Sequence, residues 1–281
     1  MTQLIDGKAI AKEIRKNIKE EVVTLYNEYR LIPGLCVILV GEDPASQIYV
    51  RNKERACKEV GIHSTVIRMS EEVTEKELLE TIERLNRDDT MHGILVQLPL
   101  PGHINEDAVI NAIHPSKDVD GFHPINVGML MTSQANLQPC TPKGIIRLIE
   151  ETGQNIAGKQ AVVIGRSNIV GKPVALMLLQ KHATVTIAHS RTKNLAEVAQ
   201  AADILVVAIG KPDFIDSSFV KEGAIVIDVG TTRVNGSLKG DVKFDEMKEK
   251  AGYLTPVPGG VGPMTITMLL DNTLIAAKSS L

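Results

Sequence analysis

Short apolar runs rich in β-branched residues recur along this chain between amphipathic stretches, and that alternation restricts its fold more than any other feature. "GLCVILVG" (34–41), "HSTVIRM" (63–69) and "GILVQLPLP" (93–101) each read as a strand. The first and third are apolar almost throughout, as strands covered on both faces are. Helical stretches stand between them. Over residues 6–29, Ile10, Ile14, Ile18, Val22 and Leu25 fall three or four apart and form one apolar face. A second helix opens near Pro44 and ends near Gly61. A third, "TEKELLETIERLN", opens on a capping box of Thr74 and Glu77. Strands alternating with helices predict parallel βαβ units.

A second series begins near Thr141. "TPKGIIRLIEETG" has a Thr suited to the N-cap, Pro at the first helical position and Gly after the end. "KQAVVIG" (159–165), "ATVTIA" (183–188), "DILVVAIG" (203–210) and "AIVIDVG" (224–230) are further strands, with helices at "VGKPVALMLL" and about 194–201. This predicts a Rossmann-type α/β domain over 141–255. The last helix, through "MTITMLLDNTLIAA", is expected to return to the first domain, giving 1–140 plus 256–281 as the other domain and setting "PGGVGP" at the crossover. A length of 281 residues suits two domains at about 150 residues each.

Composition narrows the function. Hydrophobic residues make up 43%, enough for sizeable cores, and the net charge is only −3. Nucleic-acid and membrane surfaces favour clustered Lys and Arg, and base stacking needs aromatics, which are 3% here. Neither nucleic acid nor membrane is expected as a partner. The start, "MTQLIDGKAIAKEIRK", has no apolar core of signal-peptide type, and no apolar run approaches a membrane span. Cys36, Cys57 and Cys140 are sparse and unpaired in spacing, which fits reduced thiols in a cytoplasm. No His/Cys cluster has metal spacing, so no metal is expected. Cys140, in "QPCTPKG", reads as structural.

"VVIGRSNIVGKPVA" (162–175) is strand, glycine turn, helix, the layout of a phosphate-binding turn. Gly165 and Gly171 are six apart, with Ser167 where a second glycine of the usual fingerprint falls, so spacing alone leaves a plain tight turn as an equal reading. The next strand ends in "HSRT" (189–192) without the acid that takes a ribose 2′-hydroxyl. Ser190, with Arg166 in the turn, suits a 2′-phosphate, since Arg bonds phosphates bidentately. A dinucleotide here is therefore expected to be NADP; a solvated polar turn is the plain alternative.

The other cluster is "SKDVDGFHP" (116–124). Asp118 and Asp120 suit a turn. They also suit a cation loop, though a regular series of oxygen ligands is missing. A third reading is a heterocycle with amino and ring N–H groups, which needs two coplanar acceptors. Gln97 ends "GILVQL" at the carboxyl end of a strand, where α/β sites form. In "YVRNK", Tyr49 and Lys53 are four apart and share a helix face. A single lysine is usually a solvated charge. One that is desolvated, or set beside another cation, loses its proton and acts as base or nucleophile.

These stretches, taken in order with "TPVPGGVGPMT" (255–265), resemble the methylenetetrahydrofolate dehydrogenase/cyclohydrolase family over almost the whole chain. The resemblance implies oxidation of 5,10-methylenetetrahydrofolate to the 5,10-methenyl form with NADP, then hydrolysis to 10-formyltetrahydrofolate. It implies Lys53 as the essential cyclohydrolase residue, Tyr49 along the folate ring, Gln97 bonded to Lys53, and Asp120 accepting from the pterin. Leu98, Pro258, Gly259, Gly260 and Val261 would line the folate site. Gly165, Arg166 and Ser167, with Ser190 nearby, would hold NADP, and Thr231 would lie by the cofactor. A cytoplasmic homodimer is implied. The chain departs from the family in "TTR" (231–233), where Ile-Asn is common after "DVG", and at Lys243, where an acid is common.

Three alternatives differ in kind. A non-catalytic NADP-binding regulatory protein on the same fold has no need of Lys53, Gln97 and Asp120 together. A monofunctional dehydrogenase keeps the glycine turn alone. An NADP dehydrogenase of small hydroxy or keto acids needs a proton donor, for which only His123 and His189 offer themselves.

Overall fold

The computed structural model describes residues 2–281. The chain forms β1 (Gln3–Leu4), α1 (Gly7–Tyr29), β2 (Gly34–Val40), α2 (Pro44–Val60), β3 (His63–Met69), α3 (Glu75–Asn86), β4 (Gly93–Val96), α4 (Glu106–Ala112) and α5 (Pro124–Met131). It continues through α6 (Cys140–Glu150), β5 (Gln160–Ile164), α7 (Gly171–Gln180), β6 (Thr184–Ala188), α8 (Leu195–Gln200), β7 (Ile204–Val207) and β8 (Ile225–Asp228). A hairpin, β9 (Thr232–Val234) and β10 (Ser237–Lys239), is followed by α9 (Phe244–Met247), β11 (Tyr253–Leu254) and α10 (Val261–Lys278).

Two compact units result: Glu13–Cys140 with Ile266–Leu281, and Thr141–Thr265 with the N-terminal residues through Lys12. The domain division expected from the sequence, 1–140 plus 256–281 against 141–255, does not include the N-terminal residues in the unit that holds 141–265. The reason is a strand too short to read from periodicity. β1 pairs in parallel with β11, Gln3 against Tyr253, and so draws the first residues into the second unit.

In the first unit, β2 is the centre of a three-stranded parallel sheet, order β3-β2-β4. Its register sets Gly34 against His63 and Leu35 against Gly93. Every residue of β2 and β4 is buried, as their unbroken apolar sequence demands, while the edge strand β3 is partly exposed. Ile38, Ile94, Leu78 and Ile82 belong to one core. The helix ends follow local chemistry. Asp43 accepts from Ser46 N at 2.7 Å ahead of Pro44, Gly61 closes α2 in the left-handed region, and Thr74 and Glu77 form the capping box. Asn272 of α10 is fully buried and donates to the carbonyls of Val119 (2.8 Å) and Gln138 (2.7 Å), which fastens the last helix into this unit.

In the second unit, six strands lie in the order β1-β11-β8-β7-β5-β6, every pairing parallel. The chain goes from β5 out to β6, then back past β5 to β7, so strand order reverses between β5 and β7. Such a reversal opens a ligand crevice outside the carboxyl ends of the strands. Helix α6 begins at Cys140, two residues before Pro142, the first helical position the sequence predicts, and Thr141 is not its cap; the Thr141 hydroxyl is instead 3.0 Å from that of Thr265. No helix is long and apolar enough to cross a membrane among the described residues.

Candidate functional site

Helix α2 buries Ser46, Val50, Lys53, Ala56, Cys57 and Val60 on one stripe. Lys53 thus occupies a position where the helical period calls for an apolar residue, and it is 9% exposed. Its ammonium group reaches Gln97 Oε1 at 3.0 Å. Gln97 directly follows β4; its backbone N–H bonds Ile38 O at 2.9 Å and its side-chain Nε2 donates to Leu98 O at 2.7 Å. The amide is therefore oriented, with its oxygen turned to the lysine. Burial draws the Lys53 pKa down, and the nearby Asp120 carboxylate partly opposes this. Asp120 is pushed up to about 6, chiefly by burial, against the pull of Lys53. The lysine and the carboxyl group each lose some of their bias toward the charged form.

The two acids of "KDVDG" separate cleanly. Both oxygens of Asp118 are engaged: Phe122 N donates at 3.2 Å, and His123 N and Asn126 Nδ2 donate at 2.8 Å each. Asp118 builds the loop and caps nothing else. Asp120 faces Lys53 and Cys140 instead. Cys140 is buried, its thiol donating to Val119 O at 3.1 Å and its N–H to Asp120 O at 3.3 Å. Tyr49, one turn before Lys53 on α2, is 42% exposed. Cys140 lies in the "QPCTPKG" stretch already noted in the sequence, whereas Asn272, which bonds the same Val119 carbonyl, carries no signal there.

The second unit holds the glycine turn. Gly165 follows β5 with φ +132°, and a Cβ there would lie 2.3 Å from Ala208 O. Only glycine lets the turn come this close to the end of β7. Ser167 Oγ accepts from Val170 N and Gly171 N at 3.2 Å each, and so caps the start of α7 while its own hydroxyl hydrogen stays available. Arg166, Ser190 and Thr231 have exposed side chains and follow β5, β6 and β8, all at the carboxyl edge of one sheet. These residues fit a dinucleotide: a glycine cradle, a helix N-terminus, and Ser190 and Arg191 in place of an acid after β6. Pro258, Gly259, Gly260 and Val261 belong to this unit too, where Lys8 N donates to Gly259 O at 3.1 Å. The structure does not bring them together with Lys53, Gln97 and Asp120 in one unit.

His123 caps α5, accepting from Ile125 N at 3.1 Å, and His189 Nδ1 accepts from Arg191 N at 3.2 Å.

A doubly wound nucleotide-binding sheet, joined to a unit with a buried lysine–amide–carboxylate cluster, defines a two-part α/β oxidoreductase with a second acid–base chemistry. Residues 5–120 match the catalytic domain, and residues 139–281 the NAD(P)-binding domain, described as tetrahydrofolate dehydrogenase/cyclohydrolase. The chain belongs to the tetrahydrofolate dehydrogenase/cyclohydrolase family. It is 60% identical over 279 residues, 99% of its length and 98% of the relative's, to the bifunctional protein FolD of Listeria innocua. It is similar to the bifunctional enzyme FolD, methylenetetrahydrofolate dehydrogenase/cyclohydrolase, of Campylobacter jejuni, with a TM-score of 0.98 and 49% identity over 100% of both chains. It is also similar to the Trypanosoma brucei dehydrogenase-cyclohydrolase complexed with NADP cofactor and inhibitor, with a TM-score of 0.95 and 43% identity over 99% of this chain and 98% of that one.

Proposed function

We propose that this chain oxidises 5,10-methylenetetrahydrofolate with NADP and hydrolyses the resulting methenyl group to 10-formyltetrahydrofolate, with Lys53 as the residue on which the second step depends. The observation that carries the acid–base assignment is the Lys53–Gln97 bond inside a buried stripe, with Asp120 beside it. NADP, when bound, takes up the hydride from the methylene carbon. Gly165, Arg166, Ser167 and Ser190 hold its phosphates, and Thr231 borders it. Tyr49 lies along the folate ring, Asp120 accepts from the amino and ring N–H groups of the pterin, and Leu98 and Pro258–Val261 line the substrate. In hydrolysis, water adds to the bridging carbon, one of its protons passes to N5 as that nitrogen's bond to the carbon breaks, and the other leaves. Lys53 relays these protons, and Gln97 keeps its nitrogen aimed at the reacting carbon. The same reading has the chain working as a cytoplasmic homodimer on tetrahydrofolate one-carbon substrates, without nucleic acid or membrane.

A coupled spectral assay tests this. Purified protein is mixed with 5,10-methylenetetrahydrofolate and NADP, and NADPH and methenyltetrahydrofolate are followed separately. NADPH should form with no lasting methenyl build-up. Absence of NADPH, with the cofactor still bound, would remove the dehydrogenase reading.

Asp120 also sets a pH dependence. Its folded-state pKa lies above its ordinary value, at about 6, so the carboxylate that accepts from the pterin is present above that pH and lost below it. Substrate KM should therefore rise as pH falls through about 6, and Asp120→Asn should remove that limb from the profile. The linked stability runs the other way: the folded state keeps a proton that the unfolded chain gives up, so this group's contribution is present at low pH and lost as pH rises through about 6. A flat KM profile between pH 5 and 7, or an unchanged limb in the Asn variant, would sink the assignment.

A further inference from the structure

The loop after β7, "IGKPDF" (209–214), has both its ends tied to one residue. Asp241 is fully buried, and its Oδ2 accepts from Ile209 N at 2.8 Å and Gly210 N at 3.0 Å. Its carbonyl accepts from Phe214 N and Ile215 N, at 2.9 Å each. Its own N–H is held by Asp228 Oδ1 at 2.9 Å, and the same oxygen takes Gly230 N at 2.9 Å. Asp228 is the last residue of β8, so the connections leaving β7 and β8 close on this one buried pair of acids. The remaining oxygen, Asp241 Oδ1, has no hydrogen-bond partner among the described residues. It lies so near Gly230 that a Cβ there would come within 2.4 Å of it.

What the knot fixes is the floor of the glycine turn. Ala208 immediately precedes the segment Asp241 holds, and Ala208 O is the atom against which Gly165 closes. A buried carboxylate with an oxygen left unpaired is costly, and such a group persists where the arrangement it imposes is needed. A surface turn of this length has no need of four N–H bonds to one residue.

We infer that Asp241 is a positioning residue for NADP binding, acting through the 208–210 segment that supports the Gly165 turn. The inference rests on the proposed NADP-dependent function, and the side chain is given no contact with the cofactor. An Asn at 241 can place its amide oxygen where Oδ2 stands and accept both N–H bonds, so geometry rather than charge is the working feature.

The test is an NADPH fluorescence titration of the wild type, Asp241→Ala and Asp241→Asn, with thermal melting and cyclohydrolase turnover on the same samples. Asp241→Ala is expected to weaken NADPH at least about 10-fold and to raise the NADP KM more than it lowers kcat. Cyclohydrolase turnover, whose proposed acid–base residues Lys53, Gln97 and Asp120 lie in the other unit, should stay within about twofold, and Asp241→Asn should recover most of the affinity. Wild-type affinity in the alanine variant overturns the inference, as does an Asn variant as weak as the alanine one. If the alanine variant does not fold, Gly230→Ala is read instead. Its Cβ displaces Oδ1 and should weaken NADPH in the same way; unchanged binding there, or failure of both variants to fold, leaves only a structural role and overturns the inference. A wild type that hydrolyses methenyltetrahydrofolate but does not bind NADPH removes the functional reading first and this inference with it.

Discussion

Lys53→Met should abolish hydrolysis of methenyltetrahydrofolate while NADPH formation continues, so that the methenyl product accumulates. General acid–base groups contribute about 10²- to 10⁴-fold, and a loss in that range is expected here. Methionine is the informative replacement because it keeps the stem that packs on the buried stripe of α2 and removes only the nitrogen bonded to Gln97. The substitution also removes the positive charge that pulls Asp120 down, so the Asp120 carboxyl group should move above about 6. Following methenyl absorbance against NADPH gives both rates in one trace. Hydrolysis within a few fold of wild type, in a variant that melts normally, would mean that the buried lysine is structural.

Gly165→Ala should do the reverse, removing NADPH formation by about 10²-fold or more and leaving hydrolysis of added methenyltetrahydrofolate in place. Two costs combine. A side chain at φ +132° is strained by about 1–3 kcal/mol, and the new carbon would sit 2.3 Å from Ala208 O, a backbone atom without room to yield. Either the turn opens or β7 shifts, and in both cases the phosphate cradle is lost. Dehydrogenase kcat/KM and the melting temperature together decide the matter; wild-type values of both would show that the turn tolerates a side chain and is no cradle. The pair of variants divides the two chemistries between two units of one chain.

The sequence revealed the repeating parts of this fold. β2, β3 and α2 match the stretches from which they were read, and Pro44, Gly61 and the Thr74–Glu77 box lie where their chemistry predicts. These features are local, each decided by a dozen neighbouring residues. What escaped notice was decided at a distance. β1 and β11 are two residues each, too short for any period, and exist only because they pair with one another and with β8. Thr141 has the chemistry of a cap, yet its hydroxyl lies against that of Thr265. At the site, spacing alone left Lys53 among surface lysines and left Asp118 and Asp120 equivalent. Resemblance picked Lys53 and Asp120; the structure distinguishes the two acids, since Asp118 is saturated by its own loop and Asp120 lies beside the lysine. Asp241 and Asn272 offered nothing to a reader of the sequence. Each acts by gathering backbone groups far from it along the chain, Asn272 across 153 positions to Val119.

That gathering makes the chain impossible to cut into its two chemistries at the boundary a linear reading suggests. A fragment ending at 140 loses the Asn272 amide and with it the donor that holds the Val119 and Gln138 carbonyls behind the acid–base cluster. A fragment beginning at 141 loses β1, and β11 becomes a bare edge of the six-stranded sheet. Each unit borrows its last piece from the far end of the polypeptide, so separating the chain near residue 140 strips a supporting element from both units at once.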